Sequence, residues 1–145
     1  MIKEITFKNE IYAIIIKSKF SKKGIHFFTP EKFSQQLGYI SYKKGHEIIP
    51  HYHKKVSRII YQTNEVLFIK KGKIRVDFFE HNSKKKYFGS QILRSGDTIL
   101  IAKGGHGFKV LENCEMIEVK QGPFINTNVD KTKFIRKIKK IKNIK

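Results

Sequence analysis

At 145 residues the chain fits a single domain, long enough to bury a core without staples, and its one cysteine, Cys114, excludes an intrachain disulfide. The net charge of +19 invites a nucleic-acid reading, yet 27 lysines stand against four arginines, and 23 isoleucines against two alanines. That skew is a compositional bias rather than a phosphate- or base-reading surface, which would favour Arg, so nucleic acid is disfavoured as a partner. The N-terminus has no signal-peptide pattern. The longest apolar run there, Ile11-Tyr12-Ala13-Ile14-Ile15-Ile16, is too short for a membrane span, so the expectation is a soluble, cytoplasmic protein.

Residues 2–8 and 11–17 read as two strands around Asn9-Glu10. Thr29-Pro30-Glu31 is a helix-start signal; Phe33 and Leu37 follow at i and i+4, and Gly38 is placed to close a short helix. His51-Tyr52-His53 follows Pro50 inside a stretch that reads as strand. Residues 65–69 and 73–79 read as two strands separated at Lys71-Gly72, the second with Ile74, Val76 and Phe78 alternating against Arg75 and Asp77. A polar turn at 81–85, a strand at 87–93, a turn at 94–97 and a short buried strand at 98–101 come next. Lys103-Gly104-Gly105 breaks the run, and 106–111 and 115–119 complete it. Short strands with frequent turn signals indicate an all-β sandwich or barrel. The organisation is then an N-terminal extension over 1–35, a barrel over 36–125 and a basic tail over 126–145. Residues 131–145 carry eight basic residues and no acid. Phe134, Ile138 and Ile141 have helical spacing there, but a lone helix of that length is marginal in water, so helix and disorder both stay open.

Strand phase narrows the search for a site. Residues i and i+2 share a face, so His51 and His53 reach toward one point, which is half of a transition-metal site. Glu65 shares a face with the core candidates Leu67 and Ile69, and an inward carboxylate is costly unless paired. His106 shares a face with Phe108 and Val110. Three histidines and a carboxylate turned into a small barrel make a mixed nitrogen and oxygen site. It suits a divalent transition metal (Fe, Mn, Ni, Co or Zn) and leaves one or two positions open. Taken singly, each histidine is as readily a satisfied core residue. Arg58 and Tyr61 are candidates to line the mouth and meet an anionic substrate, or are ordinary edge residues. Gln121 continues the face of Ile117 and Val119 toward the cavity. His46 reads as a rim residue and His26 and His81 as loop residues, while nothing beside Cys114 marks an activated thiolate.

The stretch from Gly45 through His51 and His53, then Glu65, then Gly72, resembles the first motif of the cupin family: a glycine, five residues, His-x-His, a glutamate, six residues, a glycine. Eleven residues, 54–64, separate His53 from Glu65 where that family usually has three or four. Gly96 to His106 resembles the second motif, with Ala102 in the place of a proline. Gly104-Gly105-His106-Gly107-Phe108 with Gln121-Gly122-Pro123 looks like small single-domain cupins associated with bacterial surface-sugar biosynthesis. The resemblance covers residues 36–122. It implies a double-stranded β-helix, or jelly-roll, barrel with metal ligands His51, His53, Glu65 and His106, and a homodimer. The expected function is a metal-binding cupin of isomerase or epimerase type, acting on a small polar or anionic molecule such as a sugar or nucleotide-linked sugar, with Glu65 and His106 catalytic. A non-haem iron dioxygenase and a non-catalytic binding module are the alternatives, and the residues do not decide between them.

Overall fold

The computed structural model describes residues 1–81 and 85–144, with the backbone but not the side chain of Asn128. Residues 82–84 of the expected polar turn lie outside the described residues. The described residues are all-β apart from one helical turn. Strands β1 (Ile2–Phe7) and β2 (Glu10–Ile16) form a hairpin whose two central residues, Lys8 and Asn9, have φ of 52° and 61°. Positive φ at both positions matches the right-handed twist of the flanking strands. Strands β3 (Gly24–Phe27) and β4 (Gly38–Ser41) pair as a separate two-stranded sheet. The main antiparallel sheet adds β5 (Glu65–Phe79), β6 (Tyr87–Arg94), β7 (Thr98–Ile101) and β8 (Gly105–Lys120) in the order β1-β2-β7-β5-β6, with β8 on β5.

The expected helix over 30–38 is absent, and its place is taken by a compact loop. Thr29 Oγ1 accepts from Leu37 N at 3.1 Å and donates to Gln36 Oε1 at 2.7 Å, which closes the loop on itself. The Gln36 amide then donates to the carbonyls of Pro30 and Phe33, groups that a helix would have used for its own ladder. Phe28, Phe33 and Leu37 end up packed over Ile14, Ile16 and Leu100 on the outer face of the β2-β7 wall.

The second difference concerns β5 and β8. Lys71-Gly72 does not end a strand: β5 is continuous for 15 residues and pairs with β8 along its whole length, with register shifts between Ile69 and Ile74. On its other side β5 pairs first with β7, over 65–68, and then with β6, over 73–79. The bulge folds the ladder back, so that β5 and β8 run through two walls. One wall holds β1, β2 and β7, the other β6. The core between them is Ile5, Ala13, Ile15, Leu67 and Ile99 facing Ile74, Val76, Phe78 and Leu93. The result is a curled half-barrel rather than a closed one. At the bulge, Gly72 has φ of 83° and its backbone lies against Asn113. The peptide groups of the bulge are satisfied by the turn at 94–97. Ser95 N donates to Gly72 O, Gly96 N to Ile69 O, and Ile69 N to Asp97 O, all within 3.1 Å. Asp97 is fully buried beneath this turn, accepting from Ser18 N and Arg94 N at 2.9 Å and paired with Lys17.

The tail is neither free nor helical beyond α1 (Thr127–Asp130). Phe134 packs on Phe79 at 5.1 Å between ring centres, and Arg136 reaches Asp77 at 2.8 Å. Gly105 and Gly107 make room for it, since a Cβ at either would press on Phe134 or on Arg136. The tail ends at the edge of β6, where Ser90 N donates to Lys142 O at 2.7 Å and Ile144 N to Ser90 O at 3.0 Å.

A Gly72→Ala change requires an L side chain at positive φ with its Cβ in the Asn113 carbonyl. It should lower unfolding free energy by about 2 kcal/mol or more, read as a lower urea midpoint with an unchanged slope.

Candidate functional site

The fold-back of β5 decides which candidates meet. Glu65 opens β5, and His106 lies opposite Phe78 near its other end. A straight strand would hold these positions ~40 Å apart. In the curled sheet, His106 Nε2 lies 3.0 Å from Glu65 Oε2. Both side chains turn into the half-barrel, as strand phase predicts, and the Glu65 side chain is 7% exposed.

An ionised carboxylate only accepts, so the short contact requires the proton on His106 Nε2. This hydrogen bond is the main reason that Glu65 is held below the ordinary carboxylate range. Burial opposes the shift, and the charges of His106, Lys131 and Lys120 add to it. With Nε2 engaged, His106 Nδ1 is buried with no hydrogen-bond partner among the described residues. An orphaned polar atom of this kind costs about 1–3 kcal/mol.

The pair lies in a cavity of 990 Å³ at the open end of the half-barrel. Its walls come from residues 101–108 around β7 and β8, Tyr61 to Thr63 before β5, Glu65, Phe79 and His81 at the two ends of β5, and the tail from Val129 to Arg136. The tail supplies cations to the lining. Lys131 Nζ stands 3.9 Å from Glu65 Oε1, and Lys133 and Arg136 also line the cavity. Arg136 is held on Asp77, which also takes two hydrogen bonds from Arg75 at 2.7 and 3.2 Å and one from Ser90 Oγ at 2.5 Å. Asp77 reads in the sequence as a solvent-side residue between Val76 and Phe78. It is fully buried because these three partners cover the outer face of β5. The tail's part in the site went unseen in the sequence. The one available signal was Arg136, a rare arginine in a lysine-rich segment and so a marker of a fixed ion pair.

Of the remaining candidates, Tyr61 lines the cavity and the others do not. His51 and His53 are exposed, with rings 5.4 Å apart, in a segment that pairs with no strand among the described residues; His51 Nδ1 contacts the carbonyl of Ile49 at 2.9 Å. The expected strand over this stretch is not formed, and among the described residues no strand pairs with it. Arg58 is exposed in the same segment, and Tyr61 lines the cavity while remaining 90% exposed. Gln121 anchors the end of β8 through its backbone to Asn64 O at 2.9 Å, and its side chain turns back to Gly122. Two of the four expected metal ligands thus converge within one chain. Two do not make a transition-metal site, and among the described residues no group of three or more His, Cys, Asp or Glu side chains is placed to hold an ion. Among the described residues no helix is long and apolar enough to cross a membrane.

No family model, no curated protein and no solved structure matches the chain.

The depressed acidity of Glu65 has a definite sign in stability. Its contribution is fully present above the unfolded carboxylate value of about 4.3 and is lost as pH falls through the lower folded value. Urea midpoints should therefore drop on acidification below about pH 4.3, and Glu65→Gln should flatten that part of the profile. An identical acid limb in the variant would contradict the assignment.

Proposed function

We propose that the half-barrel is a cupin-type enzyme whose Glu65–His106 pair moves protons on a small anionic molecule, of the kind that a sugar acid or a phosphorylated or nucleotide-linked sugar presents. The observation that carries the reading is the pair itself, a carboxylate held ionised against an imidazole N–H at the wall of a lysine-lined cavity. Support for the cupin fold comes from the motif glycines: Gly45, Gly72, Gly96 and Gly104 all have φ between 80° and 85°. Those are backbone states that favour glycine; Gly45 keeps its motif spacing to His51 and Gly72 to Glu65, while the eleven residues between His53 and Glu65 depart from the motif.

Glu65 and His106 present a base and an acid at one point of the cavity. A carbonyl compound bound there with its anionic group on Lys131 and Lys133 would lose a proton from carbon to the Glu65 carboxylate. Its carbonyl oxygen would gain one from His106 Nε2, forming an enediol. Glu65 then delivers its proton to the neighbouring carbon while the hydroxyl on the first carbon gives its proton to His106 Nε2, which completes an isomerisation; an epimerisation takes in addition an acid on the opposite face of the carbon. Each cycle leaves Glu65 ionised again and the proton back on His106 Nε2. The isomerisation uses only groups that the chain already brings together. A divalent metal belongs to the cupin reading through His51 and His53, and no step here depends on one.

Titration calorimetry with a panel of sugar phosphates and their neutral parent sugars tests the reading. Binding confined to the anions is expected, with Lys131→Ala weakening it about tenfold, the worth of one charge-assisted hydrogen bond. Solvent deuterium should enter the bound ligand with the native protein and not with Glu65→Gln. Equal binding of neutral and anionic sugars would overturn the anion specificity, and exchange that survives Glu65→Gln would overturn the proton-transfer role.

A further inference from the structure

The compact loop at 29–37 closes one side of a second cavity, of 440 Å³, beside the one that holds Glu65 and His106. The turn between β1 and β2, the segment before β5 and the two residues after β7 close the rest. Tyr61, Gln62, Ala102 and Lys103 line both cavities, so the two are neighbours across a shared rim. Sites for small molecules run from about 300 to 1,000 Å³.

The fold itself frames this second cavity. Asn64 lines it and is buried. Its amide donates to Ala102 O at 2.9 Å and accepts from Ser34 Oγ at 2.7 Å, which ties the loop, the approach to β5 and the end of β7 together. Ala102 N donates to Tyr12 O at 2.9 Å, and Lys103 pairs with Glu10 at the start of β2. A frame fastened to several elements needs little ordering when a ligand enters.

The lining has two characters. Ile11, Pro30, Phe33 and Ile60 make apolar sides, and Ile60 and Tyr61 are left exposed to solvent there. Lys32 belongs to the same lining. Glu10 is taken by Lys103, which leaves Lys32 without an ion pair among the described residues. An alkyl chain in this space would cover the apolar sides but only desolvate the ammonium group. An aromatic ring covers the same sides, stacks on Tyr61 and turns a π face to the cation.

We propose that this cavity takes an aromatic ring joined to the anion whose charged group sits on Lys131 and Lys133, so that one ligand spans the shared rim. The ligand class is thereby narrowed from any small anion to one that carries an aromatic ring. The spanning rests on the anion reading above; the ring pocket does not.

Titration calorimetry of the full chain with butyl, octyl and phenylbutyl phosphate, and with phenylbutanol, tests both claims. Phenylbutyl phosphate should bind about tenfold tighter than butyl phosphate, near the low end of what burying a phenyl ring is worth. It should also bind tighter than octyl phosphate. In Ile60→Asp, a change at an exposed position that should leave the strand circular dichroism unaltered, the tenfold ratio should fall toward one. The two phosphates carry the same charge, so the ratio cancels any general repulsion by the new carboxylate. Tyr61→Ala, which removes the stacking face, should lower the ratio as well. Lys131→Ala should weaken phenylbutyl and butyl phosphate by the same factor. Equal affinities for these two phosphates, a ratio that survives both pocket variants, or octyl phosphate binding as tightly as phenylbutyl phosphate would overturn the ring pocket. Phenylbutyl phosphate indifferent to Lys131→Ala would overturn the spanning. If no phosphate binds, the anion reading and the spanning fall together, and phenylbutanol decides the pocket: binding that Ile60→Asp abolishes upholds it, and no binding overturns it.

Discussion

The antiparallel ladder between β5 and β8, bent back on itself at Gly72, is the constraint on which everything else in this molecule depends. Among the described residues it is the only element pair that belongs to both walls of the half-barrel. The bend turns one long ribbon into two facing surfaces, and the apolar positions on its inner side then meet across the core. The same bend carries Glu65 from one end of β5 to His106 at the other. Core and site are thus two consequences of one backbone feature. The turn at 94–97 holds that feature in place by taking up the peptide groups that the bulge leaves out of the ladder.

Local patterns made much of this legible. The alternation of Ile74, Val76 and Phe78 located the inner face, and the phase of Leu67 and Ile69 turned Glu65 inward with them. His106 followed from Phe108 in the same way. Continuity was harder to see. Lys71-Gly72 carries the signature of a turn, and a glycine at positive φ serves a hairpin and a bulge equally well. Which one forms depends on whether β8 accompanies both halves, a pairing over more than 30 residues of sequence. The loop at 29–37 shows the reverse error. Its capping residues are genuine, but Thr29 and Gln36 use them to close a loop. The stretch containing His51 and His53 has the pattern of a strand, and pattern alone does not supply the neighbour that a strand requires.

The tail changes how the charge of the chain is understood. Read as a run of lysines, residues 131–144 belong to solvent. In the fold they are strapped across the outer face of β5 by the Arg136–Asp77 pair and by Phe134, and fastened to β6 near their end. Lys131 and Lys133 are thereby brought to the cavity wall, where they give a buried carboxylate and its histidine a cationic neighbour. A surface that looked compositional has become part of the candidate site.

The contact between Glu65 and His106 is the most direct expression of this account, and a double-mutant cycle measures it. Unfolding free energies of the native chain, Glu65→Gln, His106→Gln and the double variant should give a coupling of about 1–3 kcal/mol at neutral pH, the worth of a hydrogen bond to a charged group. Additivity to within about 0.5 kcal/mol would mean that the two ends of β5 do not meet, and would contradict the fold-back from which both core and site have been built.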